Sequence, residues 1–112
     1  MEIEYKNKRI EKICTDAAAA RAKYGEQMAA KIHMRVDNLR AATNVEMLLS
    51  SRIGRCHMLR HDRQGQYAMD LLNGMRLIFE KHGTTIQIAY IMEITDYHKA
   101  RPKQFDCFRE KI

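Results

Sequence analysis

The 112 residues show no pattern of a disulfide framework, no membrane-length apolar run and no pattern of a secretory leader, so none of these is expected. Its three cysteines, Cys14, Cys56 and Cys107, are odd in number, far apart and without a C-x-x-C pair. That spacing supports neither structural disulfides nor a zinc knuckle, so the thiols are expected to be reduced. No hydrophobic stretch approaches the ~18–20 residues a transmembrane helix requires. The opening, Met1-Glu2-Ile3-Glu4-Tyr5-Lys6, is acidic and too broken for a secretory hydrophobic region. These absences predict a soluble cytoplasmic protein with no membrane partner. Motifs are lacking too. There is no G-x-x-x-x-G-K-[ST], no G-x-G-x-x-G and no H-E-x-x-H, which removes support for a nucleotide cradle or a zincin site. Ser50 and Ser51 have no G-x-S-x-G context. His57 and His61 would share a strand face, but a third ligand is wanting, so no metal is expected.

What is present is 46% hydrophobic residues in a length that suits one core and one domain. Lysine and arginine number 20 against 14 aspartates and glutamates, a net charge of +6 that favours a polyanionic partner. Met1, Ile3 and Tyr5 alternate with Glu2 and Glu4, the pattern of a short strand with one buried face. Ile10, Ile13 and Cys14 then take helical spacing behind Asn7 as N-cap. Thr15 or Asp16 caps a longer helical segment over about 17–42, striped by Met28, Ile32, Val36 and Leu39 and kinked or broken at Gly25. A further helical turn is expected at Val45-Glu46-Met47-Leu48-Leu49.

After Gly54 the period shifts toward two. The stretches around Cys56–Arg60 and Tyr67–Leu72 flank a turn-rich link and read as a hairpin. Asn73-Gly74 is a strong hairpin turn leading into Met75–Glu80, and His82-Gly83 turns again. Ile86, Ile88, Tyr90, Met92 and Ile94 then alternate along a last, central strand. The expected fold is α+β: an N-terminal strand and two or three helices, with the helices packed on one face of an antiparallel sheet whose other face stays open. The residues after His98 form a net basic tail, with Pro102 discouraging helix before it.

Two stretches stand out from that frame. Arg55-Cys56-His57-Met58-Leu59-Arg60-His61-Asp62-Arg63 crowds histidine and arginine onto a strand, and Asp96-Tyr97-His98 ends the longest strand. Arg76, between Met75 and Leu77 in mid-strand, needs solvent or an anion. The sheet could gather these groups on its open face. Histidine, arginine, aspartate and tyrosine together suit phosphodiester chemistry: proton removal from a ribose 2′-OH, protonation of the leaving oxygen and neutralisation of phosphate charge. A tyrosine can also stack on a splayed base. An ordinary solvated sheet face would carry the same composition.

At these residues the chain resembles a known family. Arg55-Cys56-His57-x-Leu59, Asp62-Arg63-Gln64-Gly65-Gln66-Tyr67, Arg76-Leu77-Ile78-Phe79 and Glu93-Ile94-x-Asp96-Tyr97-His98 resemble the HigB-like, plasmid-maintenance killer branch of the RelE/ParE toxin superfamily. The likeness covers residues 1–98 as a toxin domain and leaves 99–112 as a basic C-terminal tail. It implies a RelE-like fold and a type II toxin–antitoxin toxin that cleaves translated mRNA on the ribosome without metal or cofactor. Its implied partners are a HigA-like antitoxin, the ribosome and mRNA, with operator DNA reached only through the antitoxin complex.

Carried over by position, His57, Arg76, Asp96, Tyr97 and His98 form the catalytic set, and Arg55, Arg60 and Arg63 bind RNA phosphate. Asp96 or His98 would act on the base side, His57 in another proton transfer, and Tyr97 in orienting RNA. Similar sequences read His-x-Leu-Lys-Gly-Asp where this one has His57-Met58-Leu59-Arg60-His61-Asp62. Arginine keeps the charge of that lysine but is a poor proton donor. The alternatives are a noncatalytic ParE-like inhibitor of DNA gyrase, and a binding module acting with its antitoxin on operator DNA. The chain shows no helix-turn-helix of its own to support the latter.

Overall fold

Side chains that cap the backbone decide where most of the described helices begin. In the computed structural model, which describes residues 1–60, 63 and 65–96, Asn7 Oδ1 accepts from the Ile10 amide at 2.9 Å and starts α1, Lys8–Thr15. Asp16 then serves two helices. Its amide donates to Lys12 O at 2.9 Å, closing α1, while its carboxylate accepts from the amides of Ala18 and Ala19 at 3.0 and 3.3 Å to open α2, Ala17–Tyr24. Gly25, at φ 89°, breaks the long helical segment in two, and α3 runs from Glu26 to Ala41. Asn44 Oδ1 accepts from Met47 N at 2.8 Å and starts α4, Val45–Ser51, which continues through the serine pair.

Among the described residues five strands make one sheet: β1 (Glu2–Tyr5), β2 (His57–Met58), β3 (Gln66–Asp70), β4 (Met75–His82) and β5 (Ile88–Asp96). Their spatial order is β1-β5-β4-β3-β2, with β2 to β5 an antiparallel meander. The expected α+β architecture is present with two refinements. The described residues form four α-helices, and β1 pairs with β5 in parallel, so the sheet is mixed rather than wholly antiparallel. The parallel pairing follows from the helices that intervene between the two strands, which return the chain to the same end of the sheet.

Alternation divides the sheet into two faces. Tyr67 and Met69 of β3, Leu77 and Phe79 of β4, and Ala89 and Ile91 of β5 are buried in a single core with Ile32, Val36 and Leu39 of α3 and Val45 and Leu48 of α4. The Tyr67 and Phe79 rings stack across the strands at 5.4 Å. Among the described residues, the opposite face carries no helix and is largely polar. Ala68 and Ile78 are nevertheless buried there, outside the main core. They sit in one row between His57 on β2 and Glu93 on β5. No helix among the described residues is long and apolar enough to cross a membrane.

The β3–β4 connection has a feature that determines which residues meet. Asn73 (φ 56°) and Gly74 (φ 77°) occupy successive left-handed positions, and Met75 N donates to Leu72 O at 3.0 Å, as in a type I′ turn. Leu71 N, rather than Leu72 N, donates to Met75 O at 2.8 Å. Two residues thus oppose one, a bulge that shifts the register and sets Asp70 opposite Arg76.

Candidate functional site

The charged cluster lies where β2, β3 and β4 meet on the open face. Approaching β2, the backbone winds through left-handed residues at Arg52 (φ 58°), Gly54 (φ 60°) and Arg55 (φ 52°). This tight path turns the Arg55 guanidinium toward the end of β3, where its Nε lies 3.1 Å from Asp70 Oδ2. From the neighbouring strand, Arg76 Nε lies 3.9 Å from the other oxygen, Asp70 Oδ1. The Arg55 side chain is 80% exposed and that of Arg76 only 20%.

Behind them, Arg35 of α3 donates through Nε to the Asp70 main-chain oxygen at 2.8 Å and through Nη1 to Asn38 Oδ1 at 3.0 Å. Gly54 leaves room for that guanidinium, since a Cβ there would come within 2.7 Å of Arg35 Nε. One aspartate therefore meets three arginines, two through its carboxylate and one through its backbone.

His57 stands one row away on the same face, opposite Ala68 in the register. Its Nδ1 lies 2.9 Å from Arg55 O. A carbonyl only accepts, so the bond requires a proton on Nδ1 and leaves Nε2 as the exchanging nitrogen of the neutral ring. The bond also ties the orientation of the ring to the turn that carries Arg55.

The remaining predicted residues divide. Arg60 is exposed just beyond β2, and its carbonyl accepts from Arg63 N at 3.2 Å. Arg63 is engaged in protein contacts: Nη2 pairs with Glu93 Oε2 at 2.7 Å and Nε donates to Gln66 Oε1 at 2.9 Å. Gln66 Nε2 donates in turn to Glu80 Oε2 at 3.2 Å, and Glu80 Oε1 meets His82 Nε2 at 2.9 Å. His82 stacks on Tyr90 with centroids 4.6 Å apart. This ribbon crosses the open face, and hydrogen bonds from His82 and Gln66 hold the Glu80 carboxyl below its ordinary range.

Asp96 closes β5 opposite Met75, so alternation directs it to the helical side of the same sheet end rather than to the open face. Thr95 is the β5 residue that shares a row with Arg76 and Asp70. Tyr97, His98, His61 and the basic tail 99–112, with Cys107, lie outside the described residues.

Sequence reasoning misses Asp70 and Arg35. Asp70 is invisible as a partner of Arg76 without the bulge, because an unbulged Asn-Gly hairpin sets it against Leu77 instead. Arg35 reads as a charge beside an apolar helical stripe, and nothing local reveals the carbonyl it reaches. The described thiols offer no chemistry near neutral pH: burial pushes Cys14 up to about 12 and Cys56 up to about 11. Among the described residues, no three His, Cys, Asp or Glu side chains are grouped to hold a metal ion.

No family model matches the chain, and no curated protein sequence does. Among solved structures the fold is similar to that of a YoeB/ParE toxin from Agrobacterium tumefaciens, with a TM-score of 0.60 at 13% sequence identity. The match covers 86% of this chain and 98% of the other, so it takes in nearly the whole of that protein. At such low identity the likeness establishes a shared architecture.

Proposed function

We propose that this chain is the toxin of a type II toxin–antitoxin pair and a ribosome-dependent endoribonuclease of the HigB-like kind. The observation that carries the reading is the convergence of Arg55, His57 and Arg76 on the open sheet face, at the end where β5 closes. The shared fold with a protein described as a toxin adds to it. In this mechanism the base-side group is His98, which takes the proton of a ribose 2′-OH, whose oxygen attacks the adjacent phosphorus. Asp96, opposite Met75 on the helical side of the sheet, is not on the face where the arginines meet. His57 Nε2, when protonated, delivers a proton to the departing 5′ oxygen. Arg76 and Arg55 neutralise the charge that develops on the phosphate, and Tyr97 orients the base. Arg60 supplies further phosphate contact, whereas the engagement of Arg63 with Glu93 and Gln66 makes it a brace of the face rather than a first contact for RNA.

No step requires a metal or an organic cofactor. The partners proposed are the translating ribosome with its mRNA, and a HigA-like antitoxin through which operator DNA is met. The net charge of +6 suits docking on ribosomal RNA and equally suits an acidic antitoxin segment. The site of action would then be the cytoplasm.

The test is brief induction in a bacterial host of the parent chain beside His57→Ala and His98→Ala, with transcript 5′ ends mapped. Cleavages within translated frames are expected with the parent and are expected to disappear in both variants. Growth arrest with intact transcripts and damaged DNA would overturn the ribonuclease and bring forward a ParE-like gyrase inhibitor on the same scaffold.

A further inference from the structure

We infer that Asp70 is a built-in competitor for the phosphate site, its carboxylate occupying the place between Arg55 and Arg76 that an RNA phosphate must take. The inference rests on the phosphodiester reading of this cluster and goes beyond it by identifying what guards the site. A cross-strand Asp70–Arg76 pair alone would be ordinary sheet stabilisation. The arrangement differs because the two carboxylate oxygens are divided between arginines of different elements, Oδ2 to Arg55 at 3.1 Å and Oδ1 toward Arg76 at 3.9 Å. Two oxygens of one anion between two guanidinium groups is also how a bridging phosphodiester would sit.

The contacts are graded for release. Arg55 is 80% exposed, so its bond to Asp70 is a solvent-screened surface pair that an incoming dianion or polyanion can displace. The main chain of Asp70 is held independently, through Arg35 Nε to its carbonyl oxygen at 2.8 Å. The carboxylate can therefore leave the arginines without loosening the end of β3. Asp70 thus sets a threshold: weak anions leave the arginines paired internally, and a chain of phosphates, binding at several points, exchanges with the carboxylate.

The experiment titrates a 2′-O-methyl RNA oligonucleotide, uncleavable because its nucleophile is blocked, into the full chain. Binding is followed by fluorescence anisotropy and by the arginine Nε resonances of Arg55 and Arg76. Asp70→Asn is expected to bind about three- to tenfold more tightly than the parent. Asp70→Glu should stay near the parent, and adding Arg55→Ala to Asp70→Asn should abolish the gain. The unaltered Arg35 contact predicts that Asp70→Asn keeps the parent's circular dichroism, and Asp70→Ser provides a second neutral variant with the same expected gain. Unchanged or weaker binding by both neutral variants, while Arg76→Ala still weakens it, would overturn the competitor and leave the phosphate site standing. Indifference of binding to Asp70, Arg55 and Arg76 alike would overturn both.

Discussion

Asp70 illustrates how a residue with no motif of its own can control those that have one. Its position opposite Arg76 depends on a single extra residue in the hairpin, with Leu71 and Leu72 both facing Met75. The Asn73-Gly74 turn was legible from the sequence because two left-handed positions demand such residues; the bulge beside it was not, because no residue type marks it. The same limit applies to Arg63. Its place in a basic stretch points to RNA, yet an acidic partner arrives from Glu93, 30 residues along the chain. His57 and Arg76 were legible because a cation or imidazole interrupting an apolar alternation must answer to something.

Burial also governs the reactivity of the two described thiols. Cys14 and Cys56 should resist iodoacetamide in the native protein at pH 8 and react on unfolding, as peptide mapping would read. Because their folded values are raised, the linkage runs one way. Stability is retained below about 9, the ordinary thiol value, and falls as pH rises toward the folded values, since the unfolded thiols ionise first. Alkylation of native Cys14 at a free thiol's rate would contradict the core placement.

Among the elements, the helical hairpin depends on junctions rather than on long runs of strong propensity. Asp16 ends one helix and starts the next, accepting from two amides. Asp16→Ala is expected to cost about 1–2 kcal/mol, measured as a shift in the denaturation midpoint with an unchanged slope. Gly54 makes a sharper case. Its φ of 60° opposes a side chain, and so does the Arg35 guanidinium, which would lie 2.7 Å from an added methyl group. Gly54→Ala should destabilise by roughly 1–3 kcal/mol and also disturb RNA binding, because the turn that aims Arg55 begins there. A variant stable as the parent but altered in binding would separate those two effects. Helices and strands were largely readable, because capping residues and apolar period are local. On β5, however, the period misleads: Ala89 and Ile91 rather than Ile88 and Tyr90 enter the core, a register shift separates them from Ile94, and Ile86 is exposed before the strand. The break at Gly25 and the meander order followed from the same local chemistry. The parallel seat of β1 did not, since edge pairing is decided by the route of the helices.

For the whole molecule the net charge is +6, and on the open face the charges are unevenly placed. Arginines gather at the β2 end, while Glu2 and Glu4 lie along β1 at the opposite edge, in register with Ile88 and Tyr90. Acidic side chains on an edge strand discourage pairing with another sheet. They also repel phosphate, so a bound nucleic acid should track the β2 end and lose affinity steeply with salt.

The pairing of β1 with β5 has a temporal side. Glu2 must wait for Ile88 and Tyr5 for Ile91, so β1, made before the other four described strands, is completed by β5. Every contact of that pair carries the entropy of closing nearly the full loop, which slows assembly of the sheet. A chain still being translated has β4 without its β5 neighbour and β1 without any strand at all. On the proposed function this ordering would protect the producing ribosome: the nascent protein cannot present a finished sheet until synthesis has passed Asp96. Stalled nascent chains ending before Ile88 should accordingly remain sensitive to protease, and those that have exposed β5 outside the ribosome should become resistant together, in one step.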